Sequence, residues 1–408
     1  MDSHLIYINL DGFGKYYYDT FPGGSNALPN IHTLKSEGTW FENARTGIPS
    51  ITAPMQCAIV SGCYSDRTRN CYCYLNRDTK EMIALRRYNV AQTFGQVLRR
   101  ENRSCVSIQQ FAEENKGCFR NNERNLYVQP AGNYEKRFAL LHDLIVSKSF
   151  SYEDRIYRYD TFPDAVMLYI DDLDTLGHNP GKAETEAGRV SRVQGRLREI
   201  DGAIGTMVSD LMREGLWENM WLLVTSDHGM VHYKGESKVN SLQSFFQEAG
   251  YGPVALYQRA PFTELPDVLL VSTGIECQVY FDSPLGLQES RALKERLLKQ
   301  GYVDQVLTQD ELRQAGCDPR FADMLISPVE GTHFGIERQA AGGLYASHDS
   351  LHEKCNHVFG FLKGPGVKTG YIETQRVNVT DFFPTLCRLM RLPIMKDATG
   401  KILETILS

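Results

Sequence analysis

No apolar run in this 408-residue chain approaches the roughly 18 residues that a membrane-spanning helix needs, so no such span is expected. Positive charge does not prevail either. The 44 lysines and arginines stand against 50 acidic residues, a formal charge of -6, which argues against the broad positive field of a protein that binds nucleic-acid duplexes. C-x-x-C spacing is missing: ten cysteines are scattered from Cys57 to Cys387, and the closest pair, Cys71 and Cys73, fits neither a zinc knuckle nor a thioredoxin-like site. Reduced thiols in a cytoplasmic protein are expected, and the sequons at Asn102 and Asn378 are then chance matches. The opening MDSHLIYINLDGFG has no basic stretch leading into an apolar segment, so no secretory signal is expected. Repeats and low-complexity tracts are lacking. What is present, 42% hydrophobic and 23% charged residues, suits a globular chain able to bury a large core.

Short apolar runs that end in polar clusters and lead towards helical patterns are the mark of a parallel α/β sheet. Four such runs stand out: Leu5 to Leu10 before Asp11, Ala165 to Ile170 before Asp171, Trp221 to Val224 before Asp227, and Val358 to Leu362 before Gly364-Pro365. Val190, Val193, Leu197, Ile200, Ile204, Val208 and Leu211 recur at three- and four-residue steps and predict one amphipathic helix stopping near Gly215. Strand, crossover helix, strand implies an open sheet whose ligands sit beyond the carboxyl ends of its strands. One catalytic unit over 1–408 is expected, with two excursions. Residues 64–100, rich in Tyr, Arg, Asn and Cys, read as a lid-like loop. Residues 232–345, with the strand-like ECQVYFD and the helix-like SRALKERLLKQ, read as an inserted subdomain.

The chemistry-bearing residues fall at the strand ends. DTLGH places Asp174 and His178 just past one strand, followed by Asn179-Pro180-Gly181, and TSDHGM places Asp227 and His228 side by side past another, with Gly229 to let the backbone bend. LDGFG ends the first strand with Asp11. GIPSITAPMQCAIVSG introduces a helix beginning near Met55, where Thr52 reads as the N-cap and Pro54 as an early helical residue. Taken singly, each motif has a plain structural reading as a cap, a turn or a surface histidine. Together they put three aspartates and two histidines on one edge of one sheet. A further histidine comes from YASHDSLHEKCNHVFGFLKGPG, where His348, His352 and His357 compete.

A threonine hydroxyl is a poor nucleophile at neutral pH and needs a base or a metal to become an alkoxide. Two divalent ions about 4 Å apart would supply that activation and clamp the oxygens of a transferring phosphoryl group. Aspartate with histidine favours zinc or manganese over magnesium or calcium, which prefer oxygen shells. Helix N–H groups beyond Thr52 also suit a phosphate.

In order along the chain, LDGFG, P-S-I-T-A-P, V-S-G-C-Y, Y-I-D-D-L-D-T-L-G-H, V-T-S-D-H-G-M, S-H-D-S-L and the tail VNVTDFFPTLCRLMRLPIMKDATGKIL resemble the alkaline phosphatase superfamily, and within it the type I phosphodiesterase and nucleotide pyrophosphatase family. The resemblance implies a three-layer α/β sandwich with a central, mostly parallel sheet and a smaller inserted subdomain. It implies Asp11, Thr52, Asp227 and His228 around one zinc and Asp174, His178 and His348 around the other, with Thr52 transiently phosphorylated. The substrate implied is a small phosphate ester or nucleotide-like molecule.

Departures from the family pattern bear on that substrate. The family's F-P-N-H after the nucleophile is here Ala53, Pro54, Met55 and Gln56, and its His-Gly is His348-Asp349. The family's phosphoryl-binding asparagine falls, by ungapped counting, on Cys73, so Asn70 and Asn76 are candidates to replace it, with Arg67 and Arg69 as further phosphate ligands. Tyr72, Tyr74 and Tyr88 offer rings that could stack a planar group. His333 in GTHFG competes weakly for the histidine role and is placed in the insertion. The alternatives carried forward are a phosphomonoesterase on the same scaffold and a catalytically silent metal-binding α/β protein. A sulfatase is disfavoured because Thr52 to Gln56 lacks C/S-x-P-x-R, and a phosphoglycerate mutase-like transferase because no large insertion follows Thr52 soon enough.

Overall fold

Strand β1 (His4–Leu10) turns Ile6, Ile8 and Leu10 to one side and Leu5, Tyr7 and Asn9 to the other, all of them buried. A strand that is buried on both faces must be covered on both. The computed structural model, which describes residues 3–179, 183–257, 262–336 and 343–408, shows how. Pro180 and Gly181 of the motif after His178, and residues 258–261 and 337–342 of the expected insertion, lie outside the described residues.

The central sheet adds β2 (Thr39–Phe41), β3 (Cys105–Ile108), β4 (Asn125–Val128), β5 (Ala165–Ile170), β6 (Met220–Thr225), β7 (Gly360–Lys363) and β8 (Tyr371–Glu373). Its order is β8-β2-β7-β6-β1-β5-β3-β4. β1 is parallel to both β5 and β6, with Leu10 opposite Ile170 and Asn9 opposite Thr225, so three strands end level with one another. β7 is antiparallel to both its neighbours. The stretch from Val358 to Leu362, grouped by sequence with the parallel strands, therefore runs the other way, and Gly364-Pro365 lies at the opposite sheet edge from the aspartates. Hydrophobic pattern identifies a buried strand but not its direction.

Helices cover both faces. On one side α1 (Pro29–Glu37), α4 (Tyr134–Ser147) and α5 (Glu186–Arg213) pack Ile31, Leu141 and Leu197 against Ile8, Leu168 and Leu222. On the other, α2 (Thr52–Ser61), α3 (Phe94–Arg100) and α6 (Phe382–Leu389) pack Ile59, Val97 and Phe383 against Tyr7, Met167 and Leu223. Each fully buried side chain of this kind contributes about 1.5–3 kcal/mol relative to an exposed one. α5 is the helix expected from the Val190–Leu211 periodicity; Thr185 caps it by accepting from the Gly188 N–H at 3.2 Å. The result is the three-layer α/β sandwich.

Between β6 and β7 the chain leaves the core along Val231–Lys234 and returns along Leu344–Ser347, and these segments pair antiparallel. They enclose a five-stranded sheet ordered Val254–Leu256, Val268–Ser272, Cys277–Phe281, Met324–Pro328, Val303–Thr308. ECQVYFD supplies its Cys277–Phe281 strand and SRALKERLLKQ the helix Leu287–Leu297. Phe246, Val279 and Ile326 centre a core of its own.

The segment 64–100 is more ordered than a loop. It forms a short helix, a hairpin of Cys73–Asn76 with Glu81–Ala84, and α3. The hairpin is docked on the inserted sheet: Leu75 packs with Leu269, Val271 and Tyr280, and Arg77 reaches the Asp323 carboxylate at 2.6 Å. All ten cysteines are free thiols. Among the described residues no helix is long and apolar enough to cross a membrane.

Candidate metal centre

Parallel register delivers three carboxylates to one rim. Asp11 follows β1 directly, Asp227 stands two residues beyond β6, and Asp174 lies in the helix Asp172–Gly177 that follows β5. Thr52 is the first residue of α2; Ile51, with extended backbone, takes the N-cap position expected for the threonine. The Thr52 hydroxyl is therefore not used as a cap, and it donates instead to His228 Nε2 at 3.0 Å. Gly229 acts differently from expectation as well. It is needed for close packing, since a Cβ there would come within 2.0 Å of the Lys354 carbonyl oxygen.

Two clusters result. His228 Nε2 lies 3.2 Å from Asp11 Oδ1 and 3.7 Å from Asp227 Oδ2. His178 Nε2 lies 3.3 Å and His348 Nε2 3.7 Å from the same oxygen, Asp174 Oδ1. Ligand atoms of Asp11, Asp227 and His228 fall within 4.8 Å of one another, as do those of Asp174, His228 and His348. The stacked imidazoles of His228 and His348, 3.8 Å apart, join the sets.

Each ring is aimed. The Nδ1 atoms of His178, His228 and His348 sit against the carbonyls of Ala346, Gly229 and Ser50 at 2.9, 3.0 and 2.9 Å. A carbonyl only accepts, so each Nδ1 carries the hydrogen and each Nε2 presents its lone pair inward, as a cation requires. Burial pushes His228 and His348 down to about 4, so both are neutral at physiological pH. Burial raises Asp227 to about 6, and burial together with Asp227 and Asp174 raises Asp11 well above the carboxylate range. Burial would raise Asp174 too, but the imidazoles of His178, His348 and His228 beside it outweigh burial and hold that carboxyl low. Asp11 Oδ1 and Asp174 Oδ1 are buried without a hydrogen-bond partner. Crowded carboxylates, two orphaned oxygens and three inward lone pairs fit a pair of divalent cations.

Two supporting residues escaped the sequence reading. Asp11 Oδ2 accepts from the Tyr169 hydroxyl, and Asp227 Oδ2 accepts from Gln56 Nε2 at 2.9 Å. The signal for Gln56 was an amide inside an otherwise apolar helix stretch; Tyr169 gave none, because a tyrosine in a strand is ordinary.

The proposed phosphate ligands are engaged elsewhere. Asn70 is fully buried, its amide donating to the Arg86 carbonyl at 3.0 Å and accepting from the Tyr72 N–H at 3.1 Å. Asn76 caps its hairpin turn by accepting from the Asp78 N–H at 3.0 Å. Arg67 faces Asp66 at 3.5 Å and Arg69 faces Asp318 at 3.4 Å. Cys73 lies on the hairpin, its Sγ 3.7 Å from Gln278 Oε1. The Tyr74 ring is covered by the Arg320 guanidinium at 4.2 Å, while Tyr72 and Tyr88 are exposed. His333 is held within the insertion by Gly235 and Gly335. Of the three late histidines, His348 alone reaches the rim: His352 Nδ1 accepts from the Lys354 N–H at 3.2 Å and His357 Nε2 meets the Glu42 carbonyl at 2.8 Å.

The Thr52 hydroxyl stands beside His228, the residue shared by both carboxylate–histidine groups, and the chain is a phosphoric ester hydrolase of the alkaline phosphatase superfamily. Residues 5–339 match the Type I phosphodiesterase / nucleotide pyrophosphatase family, and the chain belongs to it. It is 24% identical over 413 residues to bis(5'-adenosyl)-triphosphatase ENPP4 of Homo sapiens, covering 95% of this chain and 78% of that protein. It is 23% identical to ectonucleotide pyrophosphatase/phosphodiesterase family member 5 of Homo sapiens, over 64% of this chain and 50% of that one. The structure of human ectonucleotide pyrophosphatase / phosphodiesterase 5 superposes with a TM-score of 0.69 at 15% identity, covering both chains fully. Its murine counterpart, an inactive threonine-to-alanine variant in complex with AMP, superposes at 0.68 and 16% identity, again over both whole chains.

Proposed function

We propose that this chain hydrolyses phosphate diesters or nucleotide-like pyrophosphates through a phospho-Thr52 intermediate, with two divalent cations, zinc in preference to manganese. The observation that carries the proposal is the 3.0 Å approach of the Thr52 hydroxyl to the Nε2 of His228, the residue common to both clusters. Asp11, Asp227, His228 and Thr52 would hold one cation, and Asp174, His178 and His348 the other. The ions would lower the pKa of the hydroxyl and offset charge on the phosphoryl oxygens.

Thr52 Oγ1 attacks phosphorus, the ester oxygen leaves, and water then hydrolyses the phosphothreonine to free Thr52 and release the phosphate monoester. The N-terminal turn of α2 directs its free N–H groups towards the transferred group. A monoester substrate brings an extra negative oxygen that asks for a further cation. Arg67 and Arg69 already face Asp66 and Asp318, which favours a diester. The AMP bound to the murine relative supports a nucleotide-like substrate here.

Thr52→Ala, assayed on bis(p-nitrophenyl) phosphate and p-nitrophenyl phosphate with zinc and with manganese, tests this. Loss of at least about a thousandfold in kcat is expected, with wild type faster on the diester. Full activity in the variant would remove Thr52 as nucleophile. Wild-type inactivity with every metal would favour the silent metal-binding protein.

A further inference from the structure

We propose that Gln56 is a positioning residue: a buried chain of amides from Gln110 through Gln56 fixes the Asp227 carboxylate for one of the two cations. The inference rests on the metal reading of the rim given above.

Gln56 follows Thr52 by four residues on α2, so both project from one helix face towards the rim. It is wholly buried, as are Asn9, Gln110 and Asp227. Four polar side chains without access to water are costly unless every atom finds a partner of the right kind. Here the partners have directions. Gln110 Nε2 donates to Gln56 Oε1 at 2.6 Å, which leaves the Gln56 amide nitrogen as the donor end. Gln56 Nε2 then gives one hydrogen to Asn9 Oδ1 at 2.8 Å and the other to Asp227 Oδ2 at 2.9 Å. Asn9 can accept because its own amide nitrogen donates to the Tyr7 hydroxyl at 3.0 Å. An ionised carboxylate only accepts, so a flipped Gln56 would set oxygen against oxygen at Asp227 and nitrogen against nitrogen at Gln110.

The far end is equally fixed. Gln110, two residues past the end of β3, accepts at Oε1 from the Ala112 N–H at 3.3 Å. On the other side of Asp227, Oδ1 accepts from the His228 N–H at 3.1 Å. With a donor on each oxygen the carboxylate plane cannot rotate, and the remaining Oδ2 lone pair is left towards His228 Nε2, 3.7 Å away. The chain thus ties the ends of β3, β1 and β6 and the start of α2 to a single oxygen. An apolar side chain of equal length would fill the same space more cheaply. What it would not supply is a hydrogen aimed at Asp227, and that hydrogen decides which lone pair faces the cation.

The test is zinc binding by the whole chain, stripped of metal and titrated against a chromophoric chelator. Wild type should take two equivalents. Gln56→Met, close in volume but without the amide, should weaken one equivalent by about 10–100-fold and leave the other unchanged. Gln110→Met, which touches no ligand, should weaken the same equivalent by a smaller factor, and it keeps the proposal testable should the first variant fail to fold. Two equivalents at wild-type affinity in a folded variant would overturn the role of Gln56. A wild type that binds neither zinc nor manganese would overturn the metal reading, and this proposal with it.

Discussion

The Asp349 carboxylate stands 2.6 Å from where a Cβ on Gly274 would be. That closeness lets Asp349 Oδ2 accept from the Ile275 N–H at 2.9 Å and the Thr273 hydroxyl at 2.8 Å, hanging a turn of the inserted sheet on the residue next to His348. Where the family's pattern has glycine, this chain has a clamp. Asp349→Ala would leave buried donors unpaired and should lower stability by about 1–3 kcal/mol. Gly274→Ala should cost a similar amount by steric conflict, and the double variant should cost less than the two together, because each disrupts the same contact. Urea denaturation of the three variants measures this; strict additivity would show that the two residues act apart.

Metal removal should destabilise the fold. Without cations, Asp11 and Asp227 are buried side by side with nothing to offset their charge, and burial and mutual repulsion raise the Asp11 carboxyl so that it must hold a proton to stay there. Zinc at one hundred times its dissociation constant should restore about 2.7 kcal/mol for each ion bound. Thermal unfolding before and after chelation, then with zinc added back, reads the effect. Identical midpoints in all three would mean that the rim holds no ion tightly.

Stability should also carry a pH signature from Glu113, which is remote from the chemistry. This residue is buried behind α3, and burial lifts its carboxyl to about 7 although the Thr93 hydroxyl and the Gly95 N–H bond to it and pull downward. In the unfolded chain it titrates near 4.5. Between those values the folded state holds a proton that the unfolded state releases, so the contribution is whole below about pH 4.5 and lost as pH rises to 7. The loss amounts to roughly 3 kcal/mol. Subtracting the Glu113→Gln profile from that of wild type should reveal a slope confined to that window. A flat difference would mean that Glu113 titrates as it does in water.

Asp11, Asp174, Asp227 and His228 were legible as neighbours for one physical reason: parallel strands of level register bring the residues that follow their ends to a common rim, whereas Thr52, expected as an N-cap, arrives there as the first residue of α2 behind Ile51. Residues whose neighbours are decided by distant chain were not legible. Arg69 in a polar loop looked available to a phosphate until folding brought Asp318 to it from 249 positions away. Asn70 likewise gave no sign that its amide would be used up on the Arg86 backbone. The run ending at Leu362 announced burial but not direction. Gln56 was noticed only as a mismatch with a motif. Its partners lie on strand ends far apart in sequence, and they alone reveal what it holds.

The antiparallel pairing of Val231 with Ser347 closes the neck of the insertion immediately beside His228 and His348. Beyond that neck, from Lys234 out to Leu344, the chain packs around a core of its own, and the Asp349 clamp on Thr273 and Ile275 ties that core back to the residue beside His348. The rim histidines are thus braced from two sides, by the paired strands of the neck and by the clamped turn.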